Sequence, residues 1–157
     1  MKVTAQKIEI ALSRKFDYRQ NLIVPNVSWG LWLHECDLLI MSKSGYLTEI
    51  EIKVSTSDLK KDAQKRHGHH NEKIKKLYFA IPEKLLKHES FIPERAGIII
   101  YNSERDWCRF HRNAKTNNTA KPLSVEDQYQ LARLGALRIW GLKSKIENLK
   151  HRCEVSL

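Results

Sequence analysis

The stretch Glu35-Cys36-Asp37-Leu38-Leu39-Ile40-Met41, followed by Ser42-Lys43-Ser44-Gly45 and Tyr46-Leu47-Thr48-Glu49-Ile50-Glu51-Ile52-Lys53-Val54, decides the fold. Two apolar runs of strand length flank a short polar turn. Its glycine sits where a positive φ helps, so the segment reads as a β-hairpin. Side chains alternate along a strand, which sets Glu35 and Asp37 on one face and Glu49, Glu51 and Lys53 on one face. Paired strands bring the two sets together. Acids are depleted inside strands and costly to bury unless something offsets them. A divalent cation is one such partner, because Mg2+ prefers hard oxygen ligands and keeps several waters. A solvated hairpin with cross-strand ion pairs has the same spacing.

Working outward, Val3 to Arg14 predicts an amphipathic helix capped by Thr4, with Ile8, Ala11 and Leu12 on its inner face. Leu22-Ile23-Val24 predicts a short strand ended by Pro25. Ser55 to about Arg66 predicts a helix, and His67 to Asn71 a break. Lys76 to Ile81 predicts a strand stopped by Pro82, followed by a short helix over Glu83 to His88. Ala96 to Tyr101 is apolar throughout, as suits a strand buried on both faces. Asp106 to Phe110 suits an edge strand. A polar, basic loop spans Arg112 to Pro122. Ser124 opens a long helix to about Lys150, with Leu131, Leu134, Leu137 and Leu142 as its stripe. The order predicts one mixed α/β domain over residues 1–157, with four or five strands in its sheet.

The segment Glu35-Cys36-Asp37-Leu38-Leu39 with Glu49-Ile50-Glu51-Ile52-Lys53, continuing through Ser57-Asp58, Asp62 and Leu77-Tyr78-Phe79-Ala80-Ile81-Pro82, resembles the PD-(D/E)xK, or restriction-endonuclease-like, nuclease superfamily. The likeness is to a small branch linked to DNA repair and phage genomes, and covers roughly Ala5 to Tyr101. It implies a four-stranded mixed sheet flanked by helices and metal-dependent hydrolysis of a phosphodiester in DNA. Asp37 and Glu51 would bind Mg2+, for which Mn2+ substitutes. The Ile52 carbonyl would be a further ligand, and Glu9, on the first helix, an outer one. Lys53 would lower the pKa of the attacking water, orient it, or stabilise charge on phosphorus. Cys36 stands where the family often has proline. The roles of Glu35 and Glu49 stay open between a second metal and solvent.

The chain has 28 Lys and Arg against 18 Asp and Glu, a net charge of +10 that favours polyanions. Lys61, Lys65, His70, Arg112 and Lys115 are the expected nucleic-acid contacts, although a solvated charged face explains each of them singly. His67, His69 and His70 also have a zinc reading, weakened by the lack of a nearby cysteine. The three cysteines have neither disulfide nor zinc spacing. No apolar run suits a bilayer or a signal peptide, so the expected location is the cytoplasm. Expected partners are DNA and, as one arrangement, a second copy in a homodimer. The competing readings are a catalytically weak or inactive nucleic-acid-binding module on the same fold, and a protein-interaction domain using the last helix.

Overall fold

The structure, a computed structural model, describes residues 3–28, 30–31, 33–63 and 71–155. Trp29, Trp32, Lys65, Arg66, His67, His69 and His70 lie outside the described residues. Helix α1 (Ala5–Lys15) is capped by Thr4, whose hydroxyl accepts from the Lys7 N–H. It buries Ile8, Ala11 and Leu12, the face its periodicity predicts. Strands β1 (Leu22–Val27), β2 (Cys36–Met41) and β3 (Leu47–Ile52) follow. The β2–β3 turn uses Gly45 at φ 81°, and its N–H donates to the Ser42 carbonyl. Helix α2 (Thr56–Ala63), strand β4 (Ile74–Pro82), a 3-10 helix (Glu83–Phe91), strands β5 (Gly97–Asn102) and β6 (Trp107–Arg112), and helix α3 (Val125–Val155) complete the chain.

The six strands form one sheet in sequence order. β1, β2 and β3 pair antiparallel, β3, β4 and β5 run parallel, and β6 returns antiparallel to β5. Six strands exceed the four or five expected from sequence. β1 runs through Pro25 instead of ending there, since an edge strand does not need every N–H for its ladder. Pro82 is likewise the last residue of β4 rather than a residue beyond it.

One face of the sheet carries α1 over Leu38, Ile40, Ile50, Ile52, Tyr78 and Ile99. The other face has two separate apolar clusters. α3 covers the first through Leu131 and Leu134 against Leu39 and Leu47. α2 and the 3-10 helix cover the second through Leu59 and Leu85 against Leu77, Phe79 and Ile98. Between the clusters run Glu49, Glu51 and Lys53, all buried. The expected α3 stripe is only half a core: Leu131 and Leu134 are buried, whereas Leu137 and Leu142 are 46% and 57% exposed. The helix outruns the body it packs on.

Candidate active site

The antiparallel register of β2 and β3 pairs Leu38 with Ile50 and Leu39 with Glu49. Asp37 therefore enters the sheet beside the end of β3, on the face bearing Leu39, Glu49 and Glu51. One Asp37 oxygen, Oδ2, accepts the Ile52 N–H at 2.7 Å. That bond fixes the carboxylate while leaving the side chain 41% exposed. Lys53 follows β3 directly, its N–H donating to the Ala80 carbonyl and extending the ladder toward β4. The site thus lies at the carboxyl ends of parallel strands, where open α/β sheets commonly place their ligands.

Lys53 Nζ lies at the centre of the group. It pairs with Glu51 Oε2, lies 3.0 Å from Asp62 Oδ1 and 3.6 Å from Asp37 Oδ2. Asp62 belongs to α2 and is buried there with Leu59. Three carboxylates around one ammonium sum to −2 when all are ionised. Burial works against the Lys53 charge, but Glu51, Asp37 and Asp62 outweigh it and hold the ammonium above the usual lysine range. Glu9, reaching in from α1, has its carboxyl raised by burial and then by the charge of Asp37. The buried Cys36 thiol is also pushed up, by burial and then by Glu49, Glu51, Asp37 and Glu35. Beside burial, the charges that act on all three groups are carboxylates at this end of the sheet.

The structure brings together Asp37, Glu51 and Lys53, with Glu9 close enough to feel Asp37. Were Mg2+ to bind, Asp37, Glu51 and the Ile52 carbonyl would offer it hard oxygens, with water filling the rest of its octahedral shell. Among the described residues, however, no group of three or more His, Cys, Asp or Glu side chains is arranged to hold a metal. The Lys53 ammonium takes the central place between the carboxylates.

The expected nucleic-acid contacts are dispersed. Lys61 is exposed on α2 beside Asp62. Arg112 pairs with Ile98, which pairs with Phe79 and so with Glu51, about three strand spacings or ~14 Å from the site. Its guanidinium donates to the carbonyls of Ala96 and Pro93, a brace for the chain entering β5. Lys115 is exposed, its Nζ 3.8 Å from Glu94.

Two residues gain a place in the site only from the fold: Asp62, which the resemblance includes without a role, and His34. Asp62 shares a helical face with the buried Leu59 three positions earlier, and that spacing was the available signal. His34 precedes β2, and its Nε2 lies 2.7 Å from Oε1 of Glu49, which is 1% exposed. Glu49 is therefore not a solvent group: it is buried and bonded to a loop histidine. A groove of about 500 Å³ opens beside Glu9, between α1, β1 and α3, with Arg138 and Lys145 on its α3 wall.

Fold and site together define an α/β protein with a mixed six-stranded sheet and an acid–lysine cluster at the carboxyl ends of its parallel strands. A solved structure described as the SPO1766 protein of unknown function from Silicibacter pomeroyi shares this fold, with a TM-score of 0.67 over 96% of each chain at 15% identity. No family model and no curated protein matches the sequence.

Proposed function

We propose that the protein is a Mg2+-dependent nuclease acting on DNA, in repair or in the processing of phage or mobile-element genomes. On this reading its sheet is a restriction-endonuclease-like core. Strands β2 to β5 supply the four-stranded mixed unit, and β1 and β6 are added at its edges. The observation that carries the proposal is the convergence of Asp37, Glu51 and Lys53 on one point at the carboxyl end of β3.

When bound, Mg2+ would polarise the phosphodiester and lower the pKa of a coordinated water. The chain's own groups divide the remaining work. The Ile52 N–H holds one oxygen of Asp37, and the other would be left to bind the ion. Glu51, held by Lys53, offers the second carboxylate. Lys53 stays protonated well beyond neutral pH, which removes proton abstraction from its repertoire. An ammonium can still orient the water, lower its pKa or stabilise charge on the pentacoordinate phosphorus. Asp62 is a positioning residue that holds the ammonium from the α2 side.

One observation favours the second reading, a binding module with little or no catalysis: Lys53 already satisfies part of the charge an ion would neutralise. Incubation with single-stranded, double-stranded and branched DNA, and with RNA, in Mg2+, Mn2+ or EDTA separates the two. The nuclease reading expects metal-dependent products from the wild type and none from Asp37→Asn. Binding without cutting on every substrate supports the module, and undiminished cutting by Asp37→Asn overturns the assigned site.

A further inference from the structure

Beyond the groove it shares with α1 and β1, α3 runs on past the body of the protein. From Arg138, whose guanidinium donates to the Asn26 carbonyl, to Val155 the helix covers about five turns, roughly 27 Å. Ile139, Leu142, Ile146 and Leu149 there form one stripe, each more than half exposed; Cys153 is exposed too, and Trp140, also exposed, lies off the stripe. Their spacing alternates between three and four residues, the heptad of a coiled-coil seam. Isoleucine falls at the a positions and leucine at the d positions, the combination that suits two-stranded pairing. A helix with such a stripe left in water lacks the packing from which most helices draw their stability.

The flanking charges say what kind of helix covers it. Arg138, Lys145 and Arg152 occupy the g positions, and Lys143 and Lys150 the e positions. Between Arg138 and Cys153 the one acid is Glu147, which lies outside the seam flanks, 3.9 Å from Lys150 Nζ. Parallel pairing of two copies would set Arg138 against Lys143 and Lys145 against Lys150. Antiparallel pairing would set e against e and g against g, lysine or arginine against lysine or arginine throughout. Either orientation of a self-pair places like charges together, and flanking charges are what select coiled-coil partners. A helix with acidic flanks meets no such repulsion.

We propose that residues 139–153 are a docking seam for an amphipathic helix of a partner protein, one with Ile, Leu or Val in its own heptad core and Glu or Asp on its flanks. The proposal stands apart from the cleavage chemistry, since the seam contains none of the residues around Lys53.

The test titrates the full chain with a synthetic three-heptad peptide carrying Ile at a, Leu at d and Glu at e and g. The control peptide has Lys at e and g. Sedimentation velocity and circular dichroism provide the readouts. The expected result is a one-to-one complex with the acidic peptide, a gain of helix, weakening in high salt and no complex with the basic control. The double variant Ile146→Lys/Leu149→Lys should lower affinity roughly a hundredfold, as expected for two aliphatic side chains removed from an interface. Its thermal unfolding should not change, because both side chains are exposed in the free chain. Self-association of the wild type that this variant abolishes would assign the seam to a second copy instead. Variant-sensitive binding to phosphatidylserine vesicles without peptide binding would assign it to a membrane surface. Peptide binding that ignores the variant, or no peptide binding at all, would overturn the proposal.

Discussion

Lys53 holds three carboxylates in a space where two of them, Glu51 and Asp62, are 2% and 3% exposed. Removing the cation takes away a partner that these buried carboxylates share. Lys53→Ala should therefore lower stability by about 3–5 kcal/mol, as when one member of a buried ion pair is deleted. A lost activity in that variant would not separate catalysis from folding. Asp37→Asn is cleaner: the side chain is partly exposed, and the amide oxygen can still accept the Ile52 N–H. Denaturant titration should place Asp37→Asn within about 1 kcal/mol of wild type. Glu9 supplies the pH-dependent counterpart. Its folded carboxyl titrates above its ordinary value because of burial and Asp37. Within that window the folded state binds more protons than the unfolded state, so stability falls as pH rises through it. Glu9→Gln should thus melt higher than wild type at neutral pH, with the difference vanishing in acid below the ordinary carboxylate range. Added Mg2+ should narrow the neutral-pH difference by stabilising the wild type more. A difference that is constant from acid to neutral pH would show that the charge of Glu9 is not its origin.

Among the elements, Gly97 marks a close approach of β5 to its neighbours. A Cβ there would stand 2.2 Å from Cε1 of Tyr78 and 2.7 Å from the Ala114 amide nitrogen. Tyr78 cannot easily yield, being 5% exposed and stacked against Phe16 and Phe110. Gly97→Ala should cost about 1–3 kcal/mol of stability from overpacking, read as a lowered thermal midpoint with the fold retained. A neutral substitution would mean that β5 can shift away from β4. Sequence made such elements visible unevenly. α1, the β2–β3 hairpin, β4 and β5 carry strong apolar periodicity and glycine or proline punctuation, and each formed within a few residues of its expected bounds. β1 was shortened because proline reads as a strand breaker, and only the sheet order reveals that it is an edge. Asp37, Glu51 and Lys53 were legible because one hairpin fixes their mutual register. Asp62 was not, because it reaches the cluster by the docking of α2, a tertiary event that the local pattern of charges does not encode. The same holds for His34, whose tie to Glu49 depends on how the loop before β2 folds back.

Across the whole molecule, a chain of net charge +10 presents a cluster of Asp37, Glu51, Asp62 and Lys53 that sums to −2. The two facts pull a phosphate backbone in opposite directions. On the proposed nuclease reading, lysines and arginines over the surface would attract it through counterion release, whereas a scissile phosphate would meet the carboxylates of the cluster. A divalent cation cancels that −2 and lets the two fields cooperate. DNA binding measured by fluorescence anisotropy in EDTA should therefore be salt-dependent, with log K falling linearly against log salt. A footprint of about six phosphates would lose ~10³-fold in affinity between 50 and 200 mM salt. Replacing EDTA by Ca2+, a cation that takes oxygen ligands of the same kind, should tighten binding to the wild type at constant ionic strength. Asp37→Asn, with one charge of the cluster removed, should bind more tightly than wild type in EDTA and gain less from the cation. That crossing of the two curves is specific to a cluster that repels phosphate until an ion joins it. Parallel curves, with Ca2+ acting equally on both proteins, would place the DNA elsewhere on the basic surface and leave Asp37 without a part in binding it.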